Sequence, residues 1–279
     1  MPRLKHLILI VLVLLGAIGI RYYRARQVSS QPLTVDAATM ARREALLKEL
    51  ETVTLQNCEL TRLGSANDAG YLMCKNLMDG IQTAYSYGIG WDDKWGCDVS
   101  VRHKVPVHQY DCFAPTKLPC AGGDFRLNAE CVGPRAETID GKPFDTLANQ
   151  IAKNGDTGKP MVLKMDIEGA EWKSVLATPD SVFDSIVQMP MELHGVDEPD
   201  VLEGLRKLKT HFHLVSVHFN NWSCSDALAP IPAWAYQVLL VNKRVGVIGT
   251  PPAGSPTAAS LLAPDGPNKP DCQLPAVRR

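Results

Sequence analysis

Seven short apolar runs, at 81–89, 105–110, 125–132, 160–167, 185–193, 212–219 and 235–242, constrain this chain more than any other feature. Each is six to nine residues long, about the length of a strand, and Gly, Pro, Asn and Asp clusters or helix-like stretches at 144–153, 170–177 and 199–209 separate them. Strands that alternate with helices build βαβ units, so the rhythm predicts an α/β fold with a mostly parallel sheet. The last two runs, Phe212 to Phe219 and Tyr236 to Asn242, are joined by a loop without a helical pattern, which predicts an antiparallel pair at the end of that sheet. A chain of 279 residues has enough material for one such core with appendages.

The appendages are read from composition. Leu7 to Ile20 is wholly apolar or Gly, flanked by Arg3, Lys5 and His6 on one side and by Arg21, Tyr22, Tyr23, Arg24 and Arg26 on the other. Such a segment targets a membrane. A helix over these residues rises only about 21 Å against a hydrocarbon core of roughly 30 Å, so Tyr22 and Tyr23 must sit at the interface for residues 7–23 to span. The expectation is a signal anchor over 1–26, giving a single-pass type II protein of the Golgi or endoplasmic reticulum. Ala17 and Gly19 leave open a cleaved signal peptide and secretion. Residues 27–54 read as a polar stem and one amphipathic helix carrying Met40, Leu46, Leu47, Leu50 and Val53. From Gly246 to residue 279, Pro, Gly, Ala, Ser and Thr dominate, which predicts a disordered tail and leaves 55–245 as the folded domain.

Twenty-nine basic against thirty acidic residues leave a net charge of −1, with no basic block, so nucleic acid is excluded as an expected partner. Eight cysteines without a C-x-x-C pair suit disulfides in an oxidising compartment, hence a lumenal body; Cys58 and Cys74 are the first expected bridge.

The chemistry-bearing residues cluster at the ends of the apolar runs. Gly88 and Gly90 form a G-x-G turn after the first run, with Asp92 close behind, where backbone can approach a ligand; taken alone, the same residues read better as a plain strand-to-helix turn. Asp111 ends the second run about twenty residues further on, the separation at which a carboxylate meets ribose hydroxyls, or caps a turn. Asp166 and Glu168 share a face at the end of Met161–Ile167, and Glu171 opens the following helix, where its charge suits the macrodipole. Glu192 and His194 share a face at the next strand end and form a candidate acid/base pair, with a structural ion pair as the alternative. His218 and Asn220 end the sixth run as a polar rim, beside the chain's one N-glycosylation sequon, Asn221-Trp222-Ser223.

Leu163-Lys164-Met165-Asp166-Ile167-Glu168-Gly169-Ala170-Glu171 resembles the signature of FkbM-type methyltransferases. Arg62-Leu63-Gly64, Asp68-Ala69-Gly70-Tyr71, Tyr85 to Gly90, Asp111, Glu192-Leu193-His194 and His218 to Asn221 look like the ordered landmarks of the family's eukaryotic methyltransferase-like branch, over about 55–245. The resemblance implies a class I, Rossmann-like, seven-stranded sheet that binds S-adenosylmethionine, with Gly88 and Gly90 at the cofactor turn and Asp111 near the ribose. It also implies O-methylation of a hydroxyl-bearing acceptor, and a lumenal member suggests a glycan. Ala69-Gly70, Trp91 and Gly96 depart from the family's pattern.

Methyl transfer to a hydroxyl needs in-line placement and removal of the acceptor's proton. His194 oriented by Glu192, a desolvated Asp166, or a divalent cation held by Asp166 and Glu168 would each serve. Two further readings stand beside this one: a non-catalytic module that keeps the fold, and a metal-dependent hydrolase using Asp166, Glu168, Glu171, His194 and His218.

Overall fold

The computed structural model describes residues 35–273. In chain order it contains α1 (Ala37–Glu49), β1 (Leu60–Gly64), β2 (Gly70–Cys74), β3 (Thr83–Tyr87), α2 (Lys94–His103), β4 (Pro106–Tyr110), β5 (Asp124–Asn128), β6 (Cys131–Val132), β7 (Glu137–Ile139), β8 (Lys142–Asp145) and α3 (Leu147–Lys153). There follow β9 (Met161–Met165), α4 (Glu171–Ala177), α5 (Asp180–Phe183), β10 (Ile186–His194), α6 (Val201–His211), β11 (Phe212–Phe219), β12 (Ala235–Asn242) and α7 (Ala258–Leu261).

The seven apolar runs become the seven strands of one sheet, in the order β11-β12-β10-β9-β3-β4-β5. Neighbours from β10 to β5 are parallel, while β12 runs antiparallel to both β10 and β11. The connection 220–234 between β11 and β12 carries a single helical turn and no crossover helix, as suits an antiparallel pair. Central strands β3 and β9 are buried at every position, as parallel strands covered on both faces must be. The edge strand β5 carries Asp124 and Arg126 outward, which discourages pairing with another chain.

Alternation along the strands divides the core in two. Tyr85, Tyr87, Leu163 and Met165 face Leu147, Trp172, Phe183 and Leu205 from α3 to α6. Ala84, Val107 and Val162 face Trp95 and Val99 of α2 and the β1–β2 hairpin. Helix α6 packs so close to Trp172 that a Cβ on Gly204 would lie 2.7 Å from its ring. The Trp172 indole N–H in turn donates to the His194 carbonyl at 2.7 Å, fastening α4 to the end of β10.

Starting at β3, the chain winds outward through β4 and β5, then returns to β9 on the other side. The carboxyl ends of β3 and β9 therefore flank the topological switch point, where open α/β sheets bind ligands.

Two expectations are corrected. The tail is not disordered through residue 273: Cys224–Cys272 closes it, the buried Asn221 amide donates to the carbonyls of Gly266 (3.0 Å) and Lys269 (2.9 Å), and Asn67 donates to Pro264. Its composition cannot form a core alone, but side chains of the domain supply the partners its backbone lacks. The single-pass membrane topology is also withdrawn. Among the described residues no helix is long and apolar enough to cross a membrane, and the segment 7–23 lies outside them. Four disulfides, Cys58–Cys74, Cys97–Cys120, Cys112–Cys131 and Cys224–Cys272, leave no free cysteine and suit a secreted or lumenal protein.

Candidate functional site

A cleft of about 570 Å³ opens at the switch point. Gly88, Gly90, Asp92, Asp111, Asp166 and Glu168 line it, so six residues expected from three separate strand ends share one hollow. Ile89, Val132 and Phe144 make its apolar wall, and Trp91 and Phe113, strongly exposed, stand at its mouth.

The two glycines differ in purpose. Gly88 has φ +72°, and a Cβ there would lie 1.7 Å from the Asp166 carbonyl oxygen, so the β3 and β9 loops touch only because that side chain is absent. Gly90, at φ +51°, has open space where a Cβ would project. Its N–H donates to Asp111 Oδ2 at 3.0 Å, while Asp111 Oδ1 accepts from the N–H groups of Phe113 and Ala114, both at 2.8 Å. Asp111 thus caps its own turn and ties it to the glycine turn. A carboxylate offers about four acceptor sites, and three are filled.

Asp92 accepts from Ser65 Oγ at 2.8 Å and pairs with Lys94, while the adjacent Asp93 caps α2 through Gly96 N–H and binds Ser86 and Gln109. Gly96, a departure from the family's pattern, has a packing reason: a Cβ there would sit 2.5 Å from Asp93 Oδ2.

The β9 end is built around a buried lysine that sequence reasoning left aside. Lys164 Nζ donates to the Gly88 carbonyl at 2.6 Å and lies 3.4 Å from Asp166 Oδ2, which also accepts from the Tyr71 hydroxyl at 3.0 Å. Burial and the Asp166 charge push the Tyr71 phenol well above its ordinary value, so it stays a donor. A lone lysine inside the wholly buried run Met161–Met165 was the available signal.

Glu171 is fully buried. Its Oε2 accepts from Gly169 N–H at 3.0 Å, and its Oε1 accepts from Ile167 N–H at 2.9 Å and binds His194 Nδ1 at 3.0 Å. Capping and function coincide in this one carboxylate. The turn it holds carries Glu168 in the left-handed region at φ +56°, 82% exposed, with Oε2 3.6 Å from His194 Nε2. Ligand atoms of Asp166, Glu168 and His194 lie within 4.8 Å of one another.

The expected pairing of Glu192 with His194 is corrected: they share a face, but Glu171 orients the imidazole, and Glu192 accepts from Asn220 Nδ2 at 2.8 Å. Burial alone would lower the His194 pKa; the Glu171 hydrogen bond and the charges of Glu171, Glu192 and Asp166 outweigh it and raise it to about 9. Burial and the Asp166 charge raise Glu192, to about 8. His218 and Asn220 do not form a rim of the cleft. The tail covers them, with Asp265, itself buried, 3.5 Å from His218 Nε2 and accepting from Gln237 at 3.2 Å. Among the described residues, the ligand atoms that come together are those of Asp166, Glu168 and His194, without the His218 of the hydrolase reading. The Asn221 amide, held by tail carbonyls, is closed to glycosylation in the folded protein.

Trp234, half-exposed, has its ring 5.8 Å from that of His194, an apolar face beside the polar cluster that no motif or spacing in the chain singles out. No protein-family model and no curated protein matches the chain.

Proposed function

We propose that the protein is an S-adenosylmethionine-dependent O-methyltransferase of the FkbM type, on a class I methyltransferase fold, acting on a hydroxyl of a glycan or related acceptor in a secreted or lumenal setting. The observation that carries this reading is the shared cleft: Gly88, Gly90, Asp111 and Asp166, three strand ends apart in sequence, line one hollow at the switch point. A seven-stranded sheet whose last strand runs in reverse agrees with the fold the signature implies.

The cleft suits the donor. Its volume lies within the range of small-molecule sites, Gly90 leaves open space beside backbone, and Asp111 retains an acceptor position for a ribose hydroxyl. When bound, the donor supplies an electrophilic methyl group on a sulfonium. Lys164 fixes the Gly88 carbonyl and, with Tyr71, the Asp166 carboxylate, so the floor of the cleft is preorganised. The remaining oxygen, Asp166 Oδ1, takes no hydrogen bond among the described residues and is the atom that accepts the acceptor hydroxyl's proton. His194, held as a cation by Glu171 at neutral pH, is a poor base there and instead offsets the surrounding carboxylate charge. Trp234 gives a sugar ring an apolar face to lie on.

The test is a labelled-methyl assay of the full-length protein against a panel of glycan acceptors. Wild type is expected to transfer label to a hydroxyl, and Asp166→Asn, nearly isosteric, to lose at least ~10²-fold in kcat while keeping its Tm. Wild-type turnover in that variant removes Asp166 from the chemistry.

A further inference from the structure

His194 has one ring nitrogen without a hydrogen bond. Its side chain is only 8% exposed, and Nδ1 is taken by Glu171 at 3.0 Å. Nε2 is left directed at Glu168, whose Oε2 at 3.6 Å is beyond hydrogen-bond length. A buried imidazole normally satisfies both nitrogens or turns the free one to water. Here the free nitrogen lies 3.6 Å from the Glu168 carboxylate, with Asp166 in the same cluster. Asp166 has Oδ2 engaged by Tyr71 and Lys164 and Oδ1 open, and Glu168 has no hydrogen bond among the described residues. The three ligand atoms, within 4.8 Å of each other, are close enough to meet on one ion.

We propose that Asp166, Glu168 and His194 bind one divalent cation, Mn²⁺ or Zn²⁺, at the carboxyl ends of β9 and β10. The donor set selects the metal class: two carboxylate oxygens with one imidazole nitrogen suit Mn²⁺ and Zn²⁺, whereas Mg²⁺ and Ca²⁺ prefer oxygen alone. Glu171 is the positioning residue. Its carboxylate holds Nδ1 and so aims Nε2 at the ligand cluster, the arrangement that outer carboxylates adopt behind metal-bound histidines. The same carboxylate holds the backbone of Ile167 and Gly169 and so sets the reach of Glu168. On binding, the cation replaces a proton on Nε2 and leaves positions open to the cleft, because the protein supplies only three ligands.

The site stands apart from the donor reading, since neither the cation nor its ligands require S-adenosylmethionine. The test titrates chelator-treated full-length protein with MnCl₂, and in a second arm with ZnCl₂, by calorimetry and, for Mn²⁺, by loss of the free-ion spin resonance signal, with no donor present. One saturable equivalent per chain is expected. Glu168→Gln and His194→Ala are each expected to weaken it by ~10-fold or more. Glu168 is exposed, so its variant folds and keeps the test decisive even where His194→Ala does not. No saturable binding of either ion at millimolar concentration, or unchanged affinity in Glu168→Gln, overturns the proposal, whatever the methyl-transfer assay gives.

Discussion

The sheet carries two buried clusters of acid, imidazole, phenol and lysine, one at each end of the same strands. Near the amino ends, Asp156 accepts from Thr83 (3.0 Å), Tyr85 (2.8 Å) and Lys159 (2.7 Å) and lies 3.1 Å from His108 Nε2, so one carboxylate serves four groups. At the carboxyl ends, Asp166, Glu168, Glu171 and Glu192 surround His194 and Lys164. The first cluster has partners in excess of charge and the second has charge in excess of partners. The titrations follow. Burial would raise Asp156, yet Lys159, Tyr85 and Thr83 pull it below the ordinary carboxylate range; Glu192 and His194 are both pushed up. A cluster with partners in excess of charge stabilises a fold, and one with charge in excess at a switch point is where chemistry and ligands are expected.

The two ends should fail in different ways. Asp156→Ala strands the buried Thr83 and Tyr85 hydroxyls and is expected to lower stability by about 3–5 kcal/mol in urea denaturation. It should leave Mn²⁺ affinity unchanged. Asp166→Asn should do the reverse, removing turnover at almost constant urea midpoint. A variant pair with matched losses in both assays would erase the distinction.

The ends should also differ in the sign of their pH dependence. A carboxylate held low, as Asp156 is, contributes stability that is complete above its unfolded pKa of about 4 and is lost as pH falls through the lower folded value. Groups held high, as Glu192 and His194 are, contribute stability that is complete below their unfolded values and is lost as pH rises through about 8 to 9. Urea midpoints should therefore fall on both sides of a maximum. Asp156→Asn should flatten the acid limb and Glu192→Gln the alkaline limb; exchange of these effects would contradict the assignment.

The smallest expected effect isolates one hydrogen bond. Glu171→Gln removes the charge on His194 Nδ1, and the imidazole should titrate lower, from about 9 toward the ordinary 6.5, in an NMR pH series without metal. An unchanged midpoint would assign the shift to Glu192 and Asp166 instead.

The sheet was legible because its strands are buried on both faces, which makes each a dense apolar run such as Met161–Met165. The β1–β2 hairpin and the small β6-β8-β7 sheet were not, since strands of two to five residues are too short to leave a pattern. Cys58–Cys74 was legible because the two cysteines flank the Arg62–Tyr71 segment. The tail was misread because its order comes from elsewhere: Asn221 and Cys224 hold it, and Asp265 reaches residues far away in sequence. At the site, strand-end position was enough to find Gly88, Gly90, Asp111, Asp166 and Glu168. It could not choose between Glu171 and Glu192 as the partner of His194, because alternation along a strand fixes a face and not a hydrogen bond.

The glycine turn and the acidic strand ends are taken to form one donor slot, and direct binding tests this most simply. Calorimetric titration of the full-length protein with S-adenosylmethionine, without acceptor or metal, should give one saturable site, and Gly90→Val, which projects a branched side chain into the open space beside that turn, should abolish it. Absence of heat up to millimolar donor in wild type, or equal affinity in Gly90→Val, would contradict it.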